Sequence, residues 1–216
     1  MKIGIVGGTG EIGEGMAMRL SVHHDVAIGS RDEEKACISS ECTVSMLQKR
    51  GLCARCCGVC NQEAVDHAEV VILAIPFRHV IPTLTSLTGF EGKIVVSPVN
   101  PIAKAAHFYY DPPAEGSAAL LIKSLLPESA RVVTAFNNIA ANRWQAFDEE
   151  LDYSVAVCGD DEEAKEEVMA LVNGVSQLRA FDAGPLAVSS IVESITPLLL
   201  NIARYNKMKD VGIRFL

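Results

Sequence analysis

Residues 3–13 read Ile-Gly-Ile-Val-Gly-Gly-Thr-Gly-Glu-Ile-Gly, and this stretch decides the fold. Gly8, Gly10 and Gly13 fit the G-x-G-x-x-G pattern between a short apolar run and a segment with helical apolar periodicity. In that context the glycines allow a tight turn, close approach of the backbone to a pyrophosphate, and close packing of helix on strand. The sequence therefore predicts a dinucleotide-binding β–α unit, with a ligand-free glycine turn as the alternative. The loop residues of the predicted site are Gly8, Thr9, Gly10, Glu11 and Ile12.

The end of the predicted second strand indicates which dinucleotide binds. Arg31 lies about 20 residues past the glycines, where an NAD enzyme carries an acidic residue for the ribose hydroxyls. A basic residue at this position suits the 2′-phosphate of NADP instead. Ser30 and Thr9 are further phosphate ligands, and Lys35 lies one helical turn from Arg31. We therefore expect NADP.

Two alternatives remain open at this second strand. Asp32 is an acidic residue that can take the ribose hydroxyls of NAD. The pattern from Ser30 to Glu33 also fits a helix capping box, in which case Arg31 and Lys35 are ordinary solvated charges.

Composition excludes several classes of function. The chain has 216 residues, is 49% hydrophobic and 21% charged, and carries a net charge of −8. It can therefore bury a large core, and its acidity argues against nucleic-acid and anionic-membrane partners. The sequence contains no run of about 18 consecutive apolar residues, so it predicts no membrane span. Residues 1–10 lack the pattern of a signal peptide, so we expect a cytoplasmic protein.

Four of the seven cysteines form the cluster Cys53-x-x-Cys56-Cys57-x-x-Cys60. The spacing resembles two fused metal knuckles. However, the predicted third strand runs through the cluster, and successive side chains of a strand face opposite sides of the sheet. We therefore expect free thiols and no metal site.

Strands and helices alternate along the chain, which predicts an α/β fold of the Rossmann type with a doubly wound parallel sheet. The predicted strands are 2–7, 25–29, 53–59, 69–75, 93–97, 131–136, 154–158 and 178–181. The predicted helices are 11–22, 32–50, 61–68, 78–88, 116–127, 142–148, 161–174 and 186–206. A polar stretch near residue 150 predicts a boundary between a nucleotide-binding domain, 1–150, and a smaller C-terminal α/β lobe, 151–216.

Ligands of an open α/β sheet bind at the carboxyl ends of its strands. The loops after the fourth, fifth and sixth predicted strands should therefore border the nicotinamide half of the dinucleotide. No nucleophile–histidine–acid pattern occurs there, which suits hydride transfer, because the coenzymes carry that chemistry and the protein aligns them. The residues expected in these loops are Ile75, Pro76, Val99, Ala135, Asn137 and Ile139.

The predicted helix 186–206 is apolar on most of its faces and contains Pro197. A helix of this kind is usually buried. We expect it to bury its apolar surface in a homodimer interface.

An ordered set of motifs covers essentially the whole chain. They are Gly-Gly-Thr-Gly-x-x-Gly (7–13), Gly-Ser-Arg-x-x-Glu-Lys (29–35), Val-Val-Ser-Pro (95–98), Val-Cys-Gly-Asp-Asp (157–161), Asp-Ala-Gly-Pro-Leu (182–186), Val-Glu-Ser-x-Thr-Pro-Leu (192–198) and Gly-Ile-Arg-Phe-Leu (212–216). Together they resemble the NADPH:coenzyme F420 oxidoreductases of archaea. The resemblance implies a Rossmann domain, a small C-terminal lobe, a homodimer, and a cleft in which NADPH stacks against the deazaflavin coenzyme F420.

The resemblance also implies roles for individual residues. Asn137 and Ile139 would lie at the deazaflavin ring, with Ser194 and Thr196 beside the same coenzyme. The residues implied for the 2′-phosphate are Thr9, Ser30, Arg31 and Lys35. The chain departs from the family at Asn137, where a member carries histidine, and at Ser190, where it carries arginine.

Two other functions stay open at this point. The run 135–138, Ala-Phe-Asn-Asn, also resembles the NADPH domain of membrane metalloreductases, which suggests a reductase that uses flavin or another electron acceptor. A protein that senses NADP without catalysis belongs to a different class, and turnover with any acceptor would dismiss it.

Overall fold

The computed structural model describes residues 1–209 and 211–216. Its strands are β1 (Lys2–Val6), β2 (Asp25–Ser30), β3 (Arg55–Cys60), β4 (Val70–Leu73), β5 (Ile94–Ser97), β6 (Ile102–Lys104), β7 (Phe108–Tyr110), β8 (Arg131–Thr134), β9 (Ser154–Gly159) and β10 (Arg179–Gly184). Its α-helices are α1 (Glu11–Leu20), α2 (Glu33–Gln48), α3 (Asn61–His67), α4 (Val80–Leu84), α5 (Ala118–Leu125), α6 (Ala141–Gln145), α7 (Glu162–Asn173) and α8 (Ser189–Asn206). Short 3-10 helices, Phe77–His79 and Leu186–Val188, precede α4 and α8.

One large sheet organises the fold. Its strand order is β10-β9-β8-β5-β4-β1-β2-β3, and the pairs from β3 to β8 are parallel. The strand order changes direction at β1, which lies between β2 and β4, and this is the switch point where a Rossmann fold opens its ligand crevice. The predicted α/β Rossmann fold is confirmed.

The predicted parallel sheet has one antiparallel pair, because β9 runs opposite to β8. A parallel neighbour needs a crossover that returns the chain along the length of the sheet. The link from β8 to β9 contains only α6, whose five residues span about 7.5 Å. A helix of that length does not return the chain along the strands, and β9 runs opposite to β8.

The C-terminal strands extend the same sheet. β9 follows β8 in the sheet order, and β10 pairs with β9 in parallel. The predicted boundary near residue 150 falls in the link between α6 and β9. The division into two domains stays a prediction.

The central strands are buried on both faces, as their continuous apolar runs predict. In β4, Val70 and Ile72 pack into one core cluster, whereas Val71 and Leu73 pack into the other. Because both faces are covered, the sheet forms a rigid platform for the loops at its carboxyl edge.

Two segments differ from the predicted elements. The hairpin of β6 and β7 lies in a stretch with no predicted structure, and its residue Phe108 exchanges two backbone hydrogen bonds with the side chain of Asn201 on α8. The predicted helix 186–206 is a 3-10 turn followed by α8, which contains Pro197. The hairpin therefore anchors α8 beside the sheet.

Three of the four clustered cysteines lie on β3, which begins two residues later than predicted and so leaves Cys53 outside the strand. Cys56 packs against the core, where burial raises the pKa of its thiol to about 12, whereas Cys57 is exposed. Cys60 caps α3 by accepting a hydrogen bond from the Glu63 N–H. Among the described residues, no group of three or more His, Cys, Asp or Glu side chains is placed to hold a metal ion.

Candidate coenzyme-binding cleft

The loop between β1 and α1 and the first residues of α1 line a cleft, through Thr9, Gly10 and Glu11. Gly10 precedes α1 and offers no side-chain cap to the helix. A Cβ on Gly13 would lie 2.6 Å from Gly8 Cα, so this glycine lets α1 pack closely against the loop that follows β1. The first turn of α1 therefore keeps donors and a positive dipole end for an anion.

The left-handed turn of this loop belongs to Gly7, with φ +72°, and not to Gly8. The N–H of Gly7 donates to Asn61 Oδ1 at 3.1 Å, while the N–H of Gly8 donates to Gly29 O at 2.8 Å. Asn61 at the start of α3 thus supports the loop. Sequence reasoning missed it, because no local pattern links position 61 to position 7.

A cavity of about 540 Å³ opens beyond this loop, at the carboxyl end of β2. The residues predicted for the 2′-phosphate, Thr9, Ser30, Arg31 and Lys35, all line it. Ser30 is buried and accepts a hydrogen bond from Thr9 Oγ1 at 3.4 Å. The exposed guanidinium of Arg31 forms no ion pair within residues 1–209 and 211–216, so it is available to an anionic ligand.

The carboxylate of Asp32 is bound by other groups of the protein. It caps α2 by accepting from the Lys35 N–H at 3.3 Å, and Lys35 Nζ lies 3.4 Å from Asp32 Oδ2. The cap of α2 is therefore Asp32, and the alternative capping box from Ser30 to Glu33 is wrong. Ser30 Oγ instead accepts from the Asp32 N–H at 3.1 Å, which fixes the turn from β2 into α2.

A second cavity of about 430 Å³ continues from the first. Both are lined by Gly10, Ala74, Ile75 and Pro76, so they form one cleft across the carboxyl ends of the parallel strands. The predicted residues in the second cavity are Glu11, Ile12, Val99, Asn137, Ile139 and Thr196. The others there are mostly apolar: Leu73, Phe77, Pro98, Asn100, Ile102, Phe136, Ala140 and Ala141.

Three predicted residues, Gly8, Ala135 and Ser194, lie outside both cavities. Ala135 is fully buried in the core behind the loop after β8. Ser194 lies two residues before Thr196 and donates its hydroxyl to Ile191 O at 2.7 Å within α8. The structure thus brings Thr196 to the cleft and leaves Ser194 outside the residues that line it.

The loop after β8 begins with an unusual backbone. Phe136 has φ +68°, a left-handed conformation that is costly for a bulky residue, and its ring packs edge-on against Trp144 at 5.5 Å between centroids. The carbonyl of Asn137 accepts from Thr196 Oγ1 at 2.7 Å and from Asn100 Nδ2 at 2.9 Å. These contacts hold the turn against its strain.

The Asn137 side-chain amide is engaged with the neighbouring loop. Its Nδ2 donates to Val99 O at 3.2 Å and to Asn100 Oδ1 at 3.1 Å. Both N–H groups are therefore used by the protein, and Oδ1 is buried with no partner in the described part of the chain.

Ionisable groups are sparse at the apolar end of the cleft. Glu11 is the single ionisable side chain among the described residues that line the second cavity, and it is exposed. His79 lines the first cavity, where its Nε2 accepts from Arg78 Nε at 3.1 Å. The second cavity therefore suits the alignment of flat rings rather than acid–base chemistry.

Known proteins share the sequence and fold that surround this cleft. Residues 2–101 match the family model described as NADP oxidoreductase, coenzyme F420-dependent. Over 220 residues the chain is 39% identical to the F420-dependent NADP reductase of Methanocaldococcus jannaschii, covering 99% of this chain and 97% of the relative. The F420-dependent NADP reductase of Methanothermobacter marburgensis is 33% identical, with the same coverage of 99% and 97%.

A solved structure shows the same fold. The crystal structure of a candidate F420-dependent NADP reductase from Arthrobacter sp. FB24 superposes with a TM-score of 0.81 at 24% identity, over 100% of this chain and 99% of that one. The full-length similarity to the two archaeal reductases shows the family as well. This chain belongs to the F420-dependent NADP reductase family.

Proposed function

We propose that this protein is an oxidoreductase that transfers a hydride reversibly between NADP(H) and the deazaflavin coenzyme F420. The observation that carries the proposal is the single cleft with a cationic end and an apolar end, in a chain similar over its full length to reductases of that name. Both coenzymes are soluble small molecules. These small-molecule coenzymes and the net charge of −8 support a cytoplasmic protein without a nucleic-acid or membrane partner.

The cationic end of the cleft suits the adenosine half of NADP. Arg31 and Lys35 supply positive charge to the 2′-phosphate, and the hydroxyls of Thr9 and Ser30 lie beside them. The first turn of α1 supplies backbone donors to the pyrophosphate. The nicotinamide then reaches Ile75 and Pro76, which line both cavities.

The apolar end of the cleft suits two stacked rings. A hydride passes between C4 of nicotinamide and C5 of the deazaflavin, and holding such reactants in near-attack geometry can contribute up to about 7–11 kcal/mol. Val99, Ile139 and Thr196 border the space where the rings would meet. Their role is to orient the rings and exclude water.

The Asn137 side chain has no free N–H for the deazaflavin edge in this arrangement. Its two side-chain N–H groups already bond to Val99 O and Asn100 Oδ1. Backbone N–H groups of the loop after β8 are the remaining donors for charge that develops on reduction.

The test of the function is an assay of purified protein with NADPH and three acceptors, coenzyme F420, FMN and FAD. We expect NADPH to bleach the visible absorbance of oxidised F420 rapidly, and NADP⁺ to be reduced by the reduced deazaflavin. Rapid oxidation of NADPH with FMN or FAD, without bleaching of F420, would reject the proposal in favour of a flavin-linked reductase.

Ile139→Ala should slow hydride transfer more than it weakens NADPH binding. Ile139 is 4% exposed and lines the second cavity, hereafter the ring cavity. Removing its bulk therefore loosens the spacing between the two coenzyme rings. We expect the single-turnover rate to fall by about tenfold, because small misplacements of reacting atoms are costly. The dissociation constant of NADP⁺ should change by less than twofold, and an equal loss in both quantities would contradict the role.

A homodimer through α8 is the proposed assembly. Ile191, Leu198 and Tyr205 recur every seven residues and are 65%, 55% and 67% exposed, which is a large apolar stripe for a free surface. By length and composition the segment Leu186–Asn206 could also cross a membrane. The buried Glu193 ties this segment to the rest of the fold, so a second copy is the better partner.

Sedimentation at micromolar concentration should give about twice the chain mass of 23.2 kDa. Leu198→Glu places a charge in the centre of the stripe and should produce monomers without loss of the fold. An unmodified chain that sediments as a monomer would refute the interface.

A further inference from the structure

Asn100 joins the loops after β5 and β8 through its side-chain amide. Its Nδ2 donates to Asn137 O at 2.9 Å and lies 3.4 Å from Pro98 O. Both partners are carbonyl acceptors, so the amide nitrogen must face them and the oxygen must face Asn137 Nδ2. The orientation of Asn100 is therefore set by backbone groups, and Asn100 in turn sets the orientation of the Asn137 amide.

The carbonyl of Asn137 is the meeting point of three elements. Asn100 reaches it from the loop after β5, Thr196 reaches it from α8, and Asn137 itself follows β8. The residue before it, Phe136, holds a left-handed conformation that an isolated chain would leave. We define this junction as Asn100, Phe136, Asn137 and Thr196, all of which line the ring cavity.

We propose that Asn100 is a positioning residue that, together with Thr196, holds the strained turn at Phe136 and Asn137 in the geometry required for hydride transfer. Asn100 does not line the cavity at the cationic end of the cleft. It therefore acts on ring alignment and not on capture of the 2′-phosphate. The catalytic part of this inference rests on the proposed function, whereas the part about the turn does not.

Asn100→Ala removes the donor to Asn137 O and the acceptor for Asn137 Nδ2. We expect the single-turnover rate constant, with both coenzymes saturating, to fall on the order of tenfold to a hundredfold. The amplitude per mole of protein should stay that of the native chain, because partial unfolding lowers the amplitude and not the rate constant. The dissociation constant of NADP⁺ should change by less than twofold.

Two further variants sharpen the test. Thr196→Val removes the other donor to the same carbonyl, so its effect combined with Asn100→Ala should be non-additive. Asn173→Ala is the matched control, since Asn173 is also an asparagine that bonds a backbone group of another element, the Ala180 N–H at 2.9 Å, and it lines neither cavity. It should leave the rate constant unchanged.

Hydrogen exchange without any coenzyme tests the turn independently of turnover. Asn100→Ala should raise the exchange rates of the amides of residues 136–140, whereas Asn173→Ala should not. Unchanged exchange there would overturn the proposal, whichever acceptor the enzyme uses. A native rate constant with reduced amplitude would also overturn it, because it would reduce Asn100 to a structural role. Failure of F420 bleaching in the unmodified chain would instead count against the proposed function alone.

Discussion

Glu193→Ala is expected to destabilise the protein by at least about 3 kcal/mol, because it leaves several buried donors unpaired at about 1–3 kcal/mol each. Glu193 is fully buried on α8. Its carboxylate accepts from the N–H groups of Ala118 and Ala119 at 2.9 and 3.0 Å, and from the Tyr110 hydroxyl at 2.9 Å. These N–H groups begin α5, so Glu193 caps that helix from another element.

Ionisation of the same carboxyl should make the free energy of unfolding fall as the pH rises. Burial raises the pKa of Glu193 above its ordinary value of 4.5, although the three hydrogen bonds partly oppose this. The folded state therefore binds the proton more tightly than the unfolded chain does. The stabilisation that comes from this bound proton is fully present below about pH 4.5 and is lost as the pH rises through the folded-state pKa of Glu193.

Carboxylates with a lowered pKa act in a different pH window. Ion pairs or hydrogen bonds lower the pKa values of Asp148, Asp160 and Asp182 below 3.8, so their stabilisation is complete above that pH. Burial lowers the pKa of His24 below 6.5, so its contribution makes the unfolding free energy rise with pH in this range; a fall above about pH 4.5 should then report on Glu193.

Glu193→Gln is the matched variant, because it keeps the shape and removes the titration. Urea unfolding between pH 4 and pH 8 should show a smaller decline for this variant than for the native chain. Parallel curves for the two proteins would contradict the assignment. Glu193→Ala should be much less stable than Glu193→Gln at every pH.

The sequence predicted the fold where local patterns determine it. Apolar runs such as 70–73 identify strands buried on both faces, and the glycines of 7–13 identify the turn into α1. The direction of β9 had no such signal, because side-chain periodicity is the same in parallel and antiparallel strands. The three-residue strands β6 and β7 were missed because they are too short to show a period.

The candidate site was predictable where residues adjoin a recognisable loop. Thr9, Ser30 and Arg31 follow predicted strands, and the structure brings them to one cavity. Asn61 and Asn100 act on backbone groups that are 54 and 37 positions away, respectively, and no spacing rule predicts such contacts. Ser194 and Thr196 were treated as a pair, yet the geometry of α8 brings Thr196 alone to the cleft.

Arg31→Ala is expected to weaken NADPH binding by about tenfold to a hundredfold, because a hydrogen bond to a charged group contributes about 1.5–3 kcal/mol. Arg31 is exposed at the rim of the cationic cavity and pairs with no acid in the described ranges, so its charge is free for the 2′-phosphate. Binding of NADH, which lacks that phosphate, should stay within twofold. The unmodified chain should therefore prefer NADPH by more than tenfold.

Arg55→Ala is the matched control for a general electrostatic effect. Arg55 is also an exposed arginine, but it is the first residue of β3. It therefore lies at the amino ends of the parallel strands, whereas the cleft lies at their carboxyl ends. Its loss removes the same charge and should leave both affinities unchanged.

Asp32→Ala tests the rival ligand, since a fall in NADH affinity alone would assign the ribose hydroxyls to Asp32. Titration calorimetry of the unmodified chain with NADPH and with NADH tests the assignment of Arg31. Equal affinities would contradict it, because a hydrogen bond from this guanidinium to the 2′-phosphate must strengthen the binding of NADPH.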